Sequence, residues 1–222
     1  DGSADGCSSD LGGSPATMDY RKRTGDAEAE LRLQSVVDDA MRAHLGFNLG
    51  PGLSGPVPIR LTGHLGSNGR DGRFNVEPDL THASIDDLLP GWVKPAAKPA
   101  RATFTMSTKA TGTRVDDLSI DSSGTVVRGS LEIDPSGNLV SANFPVFSPS
   151  SGDKVALKAD RGSDGAMRVN VRGDVYDGRQ FVKSAMSGPT AETTSGKKSN
   201  DLDLDVKLGA VAGFHGEALR SS

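Results

Sequence analysis

The sequence is poor in the large side chains that usually fill a protein core. Its 222 residues include one Trp, two Tyr and seven Phe, and aromatic residues make up only 5% of the chain. Hydrophobic residues amount to 35%. The 28 glycines bring the total near the roughly 45–50% usual for globular domains, but glycine contributes no side chain to a core. The chain therefore has little bulk with which to bury an extended sheet.

Other absences narrow the functional classes. The single cysteine, Cys7, cannot form a disulfide within the chain. The net charge is −4 with both signs intermixed, so the sequence lacks the basic footprint of a nucleic-acid-binding protein. No apolar run reaches the roughly 20 residues that a helix needs to cross a bilayer.

Two segments show no periodic pattern. Residues 1–19 are rich in Gly, Ser and Asp, which predicts a disordered leader. An adapter origin stays open as a second explanation, because CSSDL at residues 7–11 resembles the translation of a common sequencing adapter, TGCTCTTCCGATCT. Residues 187–200 are polar throughout and are predicted to form a flexible linker before the final segment, 201–222.

Most of the remaining chain alternates apolar with polar residues, as a strand with one buried face does. The alternation is clearest at residues 27–34, 57–62 and 102–106, and its phase shifts at Asp116-Asp117 as in a β-bulge. Short turns rich in Asp, Gly, Pro and Asn separate these segments. Residues 20–186 are therefore predicted to be mainly β, an antiparallel meander forming a curved, groove-like sheet.

One interruption predicts a short amphipathic helix near the N-terminus, over residues 36–45. Ser35 has the chemistry of an N-cap, Asp38 and Asp39 place acidic groups in the first turn, and Gly46 is a typical stop. A helix of about ten residues extends roughly 15 Å at 1.5 Å per residue. It is too short to cover a sheet of about ten strands.

The apolar side of such a sheet needs a partner, because an antiparallel sheet leaves only one face in water. Two explanations stay open: a trough that shelters lipid acyl chains, or half a β-sandwich whose other strands lie outside this sequence. The residues predicted to line the trough share the apolar phase of the strands: Leu31, Leu33, Ile59, Leu61, Phe74, Val76, Phe104, Met106, Leu131, Ile133, Val155, Leu157, Val169, Val171, Leu202, Leu204 and Val206.

Three long segments, residues 29–66, 71–106 and 129–182, resemble the AsmA-like family in its YhdP/TamB-type subgroup. DLDLDVKLGAVAGFHGEALR, at 201–220, resembles the start of the C-terminal AsmA-like region. The resemblance implies an internal fragment, truncated at both ends, of a periplasmic protein anchored in the inner membrane of a Gram-negative envelope. It implies repeated β-groove units that carry phospholipid between the inner and outer membranes, with other envelope proteins as further partners. It transfers no individual site residue.

The residues that carry chemistry form no recognisable catalytic or metal-binding pattern. Asp201, Asp203 and Asp205 lack the Gly of a calcium loop and are predicted to form the wet face of a strand. We therefore expect no enzyme activity, cofactor or metal. The alternative function is a structural or assembly β module that acts in outer-membrane biogenesis through protein contacts. Trp92 lies in a Pro-rich loop and is expected either to touch a membrane interface or, more ordinarily, to close one end of the sheet.

Overall fold

A computed structural model of the chain describes residues 4–11, 14–44, 52–86, 88–89, 91–176, 202–212 and 218–219. The described chain is mainly β and forms one large curved sheet. The strands are β1 Ala4–Leu11, β2 Ser14–Arg21, β3 Glu28–Val37, β4 Leu53–Ser54, β5 Val57–Gly66, β6 Gly72–Pro78, β7 Ser84–Asp86, β8 Val93–Lys94, β9 Ala100–Lys109, β10 Gly112–Ser122, β11 Thr125–Ile133, β12 Leu139–Ser148, β13 Lys154–Arg161, β14 Met167–Tyr176, β15 Leu202–Ala212 and β16 Ala218–Leu219.

The predicted antiparallel sheet is confirmed. In the described residues a 13-stranded sheet runs β1-β2-β3-β5-β6-β9-β10-β11-β12-β13-β14-β15-β16, and β4-β7-β8 form a second sheet of three strands. Neighbouring strands of the large sheet are antiparallel except β14 and β15, which are parallel. The predicted bulge is also confirmed: the register shifts between Val115 and Leu118, and Asp117 has a φ of 52°. The extra residue keeps Val115 and Leu118 on the same face.

The described residues of the segment predicted as a disordered leader, 1–19, lie in β1 and β2. β1 pairs with β2 along its full length, and β2 pairs with β3, so both strands extend the edge of the large sheet. In β2, Ala16, Met18 and Tyr20 pair with Ser35, Leu33 and Leu31 of β3. The predicted linker at 187–200 lies outside the described residues.

The predicted amphipathic helix over 36–45 is not confirmed. The helix α1 has six residues, Asp39–His44, which is less than two turns. Ser35 is not its N-cap, because β3 continues through Val37 by pairing with β5. The N-cap of α1 is Asp38, whose Oδ1 accepts a hydrogen bond of 2.8 Å from the backbone N–H of Met41.

The large sheet has two different ends. At the end that we call the hairpin end, tight turns at 67–71, 110–111, 134–138 and 162–166 join successive strands. At the other end, which we call the cap end, the two long connections 38–56 and 79–99 leave the sheet. The described residues of these two connections carry α1 and the three-stranded sheet, and together we call them the cap.

Candidate functional site

The register of the large sheet brings the predicted trough residues to one side, which we call the apolar face. Residues directly opposite each other in neighbouring strands point to the same side of a sheet. One continuous row of such pairs crosses from β3 to β14: Leu31, Gly63, Phe74, Met106, Val115, Leu131, Ala142, Ala159 and Val169.

The other predicted residues fall in phase with this row. Leu33 pairs with Leu61, which pairs in turn with Val76, and Val76 pairs with Phe104. The other predicted residues lie on the same side, because each is two positions along its strand from a residue named above or from another of this group. They are Ile59, Ile133, Val155, Leu157 and Val171. The backbones of Leu202 and Val206 pair with Met167 and Val171, while the side chains of Leu202, Leu204 and Val206 lie outside the described part.

On β9 and β11, burial on the apolar face decreases from the cap end towards the hairpin end. On β11, Val127 at the cap end is 0% exposed, whereas Leu131 and Ile133 towards the hairpin end are half-buried. On β9, Ala102 is buried and Phe104 and Met106 are half-buried. Half-burial also describes the predicted residues Leu31, Leu33, Ile59, Leu61 and Val169, whereas Phe74, Val76, Val155, Leu157 and Val171 are buried.

The cap causes this difference, because it lays a second layer over the cap end of the apolar face. Leu53, Ile85 and Trp92 belong to one buried cluster with sheet residues that include Val127 and Phe147. Trp92 is 1% exposed, so it closes the end of the sheet and is not at a membrane interface. The sequence interpretation missed this second layer: part of the apolar face is covered by the chain itself.

A buried lysine, Lys94, is hydrogen-bonded to backbone carbonyls within the connection 79–99 of the cap. Lys94 is 1% exposed, and its ammonium donates hydrogen bonds to four backbone carbonyls. The oxygens are those of Thr81 at 3.2 Å, Ala83 at 2.6 Å, Pro95 at 2.9 Å and Lys98 at 3.0 Å. Burial lowers the pKa of this amine, and the neighbouring charge of Lys98 lowers it further. The four hydrogen bonds give these carbonyls a donor that they would otherwise lack.

A buried arginine joins the first connection to the large sheet. Arg42, in α1, donates to the carbonyl of Val37 at the end of β3 and to that of Gly55 beyond β4, both at 3.0 Å. It also pairs with the carboxylate of Asp39, which in turn accepts a bond from the backbone N–H of Gly55 at 3.1 Å. These bonds hold α1 and β4 against the cap end of the sheet.

The opposite side of the large sheet, which we call the charged face, carries rows of both signs. One row reads Arg21, Glu30, His64, Arg73, Ser107, Arg114, Glu132, Ser141, Asp160 and Arg168. Arg114 pairs with Glu132 across strands at 3.1 Å. The hydrogen bond and charge of Arg32 lower the pKa of Glu30, and those of Asp116 raise the pKa of Arg114. Alternating charge keeps this face in water.

The charged face has no arrangement that indicates catalysis. A surface depression of about 820 Å³ is lined there by groups of both signs, among them Arg73, Arg114, Asp116 and Glu132. Arg114 is engaged by both carboxylates. Within the described ranges, no group of three or more His, Cys, Asp or Glu side chains has the spacing to hold a metal ion. Nor does any helix in this part of the chain have the length and apolar character to span a membrane.

The sequence prediction missed two residues of the apolar face, Phe144 and Phe147, because a second bulge separates them. Phe144 and Phe147 are three positions apart, so strict alternation would place them on opposite sides. Both are buried in the same cluster, and their rings lie 6.0 Å apart. The register between β12 and β13 shifts between them. Pro145 was the available signal, since proline within a strand is usually confined to edges and bulges.

Comparison of the chain with protein-family models, with curated proteins and with solved structures returns no match. The family resemblance of the quoted segments therefore stays a prediction.

Proposed function

We propose that this chain is a segment of an AsmA-like envelope protein whose sheet forms a groove for phospholipid acyl chains. The single observation that carries the proposal is the apolar face itself, which runs from β3 to β14 and leaves Leu31, Met106, Leu131 and Ile133 half-exposed. In this proposal the protein acts in the periplasm, its parent is anchored in the inner membrane, and phospholipid moves between the inner and outer membranes.

The physical basis is transfer of hydrocarbon from water to an apolar surface. Each buried CH₂ contributes about 0.8 kcal/mol, so a tail lying on the apolar face is stabilised without any specific bond. The head group stays in water, where its charge remains hydrated. No covalent chemistry is involved, and the proposal needs no cofactor, metal or enzyme activity.

A pair of matched variants tests the proposal. Met106 and Leu131 both pair with Val115, from opposite sides of β10, and both are half-buried. Met106→Asp with Leu131→Asp places two carboxylates in the proposed groove. We expect the purified chain, equilibrated with phospholipid vesicles and analysed by native mass spectrometry, to lose its bound phospholipid while circular dichroism keeps its β signal.

The control puts the same charges on the other side of the same strands. Ser107→Asp with Ser130→Asp lie on the charged face, where Ser107 pairs with Arg114 and Ser130 with Asn143. This control is expected to retain phospholipid. Retention by the apolar-face variant would contradict the proposal. A co-purifying protein with no bound phospholipid would favour the alternative, an assembly module that acts through protein contacts.

A further inference from the structure

The two ends of the apolar face differ in their exposure to water and in charge. We propose that this difference gives a bound acyl chain one orientation. The methyl terminus lies towards the cap, and the head group lies beyond the hairpin end. This inference rests on the proposed function and adds to it a closed end and an open end.

The cap end is buried, and the ammonium of Lys94 there already has hydrogen-bond partners. Ala83, Ile85 and Trp92 are each at most 1% exposed, and they lie against Val127 and Phe147 of the large sheet. The ammonium of Lys94 is committed to four backbone carbonyls. A phosphate head group placed here would lose its water, and the ammonium of Lys94 is not free to replace it, so burial of the head group costs several kcal/mol.

The hairpin end offers the surroundings that a head group needs. Its turns and strand ends carry exposed side chains of both signs, including Arg70, Lys109 and Asp164. Between these turns and the cap, the apolar face carries apolar side chains such as Phe104, Met106 and Leu131. A phospholipid can therefore keep its charges hydrated at this end while its tail lies on the sheet.

The length of the open stretch suits one acyl tail. On β9 the half-buried region extends from Phe104 to Thr108, four residues along the strand. At about 3.3 Å per residue this stretch measures about 13 Å. One leaflet contributes half of a hydrocarbon core of about 30 Å, which is about 15 Å of tail. The tail thus reaches from the hairpin end to the edge of the cap.

The occupant is hydrocarbon rather than a peptide strand because of the hydrogen bonding in the sheet. The inner strands from β3 to β14 are paired on both sides, so their backbone donors and acceptors are used within the sheet. A peptide laid flat on the apolar face would bury its own N–H and C=O groups without partners. An acyl tail has no such groups to satisfy.

The only tryptophan of the chain, Trp92, reports on the cap end and makes the orientation measurable. The full chain is equilibrated with phosphatidylcholine vesicles, and the protein fraction is separated. The lipids carry bromine either near the carbonyl or near the methyl terminus of the tail, and bromine quenches tryptophan at short range. We expect a larger loss of Trp92 fluorescence with bromine at the methyl terminus.

A matched reporter at the other end is Trp92→Phe with Ile133→Trp, since Ile133 is half-buried beside the 134–138 turn. For this variant the order is expected to reverse. With bound lipid shown by native mass spectrometry, equal quenching, no quenching or the opposite order would overturn the orientation and leave the proposed function standing. A chain that binds no lipid would overturn both.

Discussion

Phe104 and Phe147 lie on the same face of the same sheet, yet their surroundings differ. Phe147 is 1% exposed within the cluster to which the cap belongs, whereas Phe104 is half-buried towards the hairpin end. Phe104 follows the apolar–polar alternation of β9, and Phe147 reaches the same side of the sheet through the bulge in β12. The difference shows that alternation determines which side of a strand is apolar, while the connections between strands determine what covers that side.

Replacing each phenylalanine by alanine tests this comparison most strongly. Phe147→Ala opens a cavity in a packed cluster, so we expect the free energy of unfolding to fall by about 3–5 kcal/mol. Phe104→Ala removes a side chain that is already part-exposed and should cost clearly less, about 1–2 kcal/mol. Urea unfolding followed by Trp92 fluorescence measures both. Equal losses would mean that the two halves of the face are equally covered.

The next largest effect is expected at Lys94. Lys94→Met keeps most of the side-chain volume but leaves one buried and three part-buried carbonyls without their shared donor, and the free energy of unfolding should fall by about 3 kcal/mol. Lys158→Met, on the exposed side of β13, is the control and should change it by less than about 0.5 kcal/mol. If Lys94→Met left the free energy of unfolding unchanged, the cap would not depend on this cation.

A smaller effect is expected at the bulge in β10. Asp117 adopts a φ of 52°, a region that favours glycine, and its side chain is exposed. Asp117→Gly should therefore leave Val115 and Leu118 on the apolar face and stabilise the protein by no more than about 1 kcal/mol. Asp117→Val should destabilise it, since a β-branched residue disfavours positive φ. Thermal unfolding of both variants checks the sign.

The smallest effect concerns pH at the hairpin end. Backbone and side-chain hydrogen bonds from Asn138 lower the pKa of Asp134, with a further bond from the N–H of Ser136. Because the folded pKa lies below the unfolded one, the stability that this group contributes is present at neutral pH and is lost as pH falls through the folded pKa. Asp134→Asn should reduce the acid dependence of unfolding without affecting the cap, as urea titrations at several pH values would show.

From the sequence we could predict the strands, the Asp116-Asp117 bulge and the position of apolar residues on one side of each strand. These features follow from the local apolar–polar alternation and from turn chemistry. The sequence did not predict the helix bounds, because pairing of Ser35 and Val37 with β5 prevails over their helical pattern. The cap was beyond local reasoning as well. β4 and β7 lie about 30 residues apart in the chain, and only their pairing, Leu53 with Ile85, creates the second layer.

The central claim is that the protein covers Val127 at the cap end of the apolar face and leaves Leu131, towards the hairpin end, for hydrocarbon. In a Cys7→Ser background, Leu131→Cys and Val127→Cys place a thiol on either half of the same strand. The account predicts that a water-soluble maleimide labels Leu131→Cys readily, that phospholipid vesicles protect it, and that Val127→Cys resists labelling in both conditions. Failure of Leu131→Cys to react in the lipid-free chain, or reaction unchanged by phospholipid, would contradict the account.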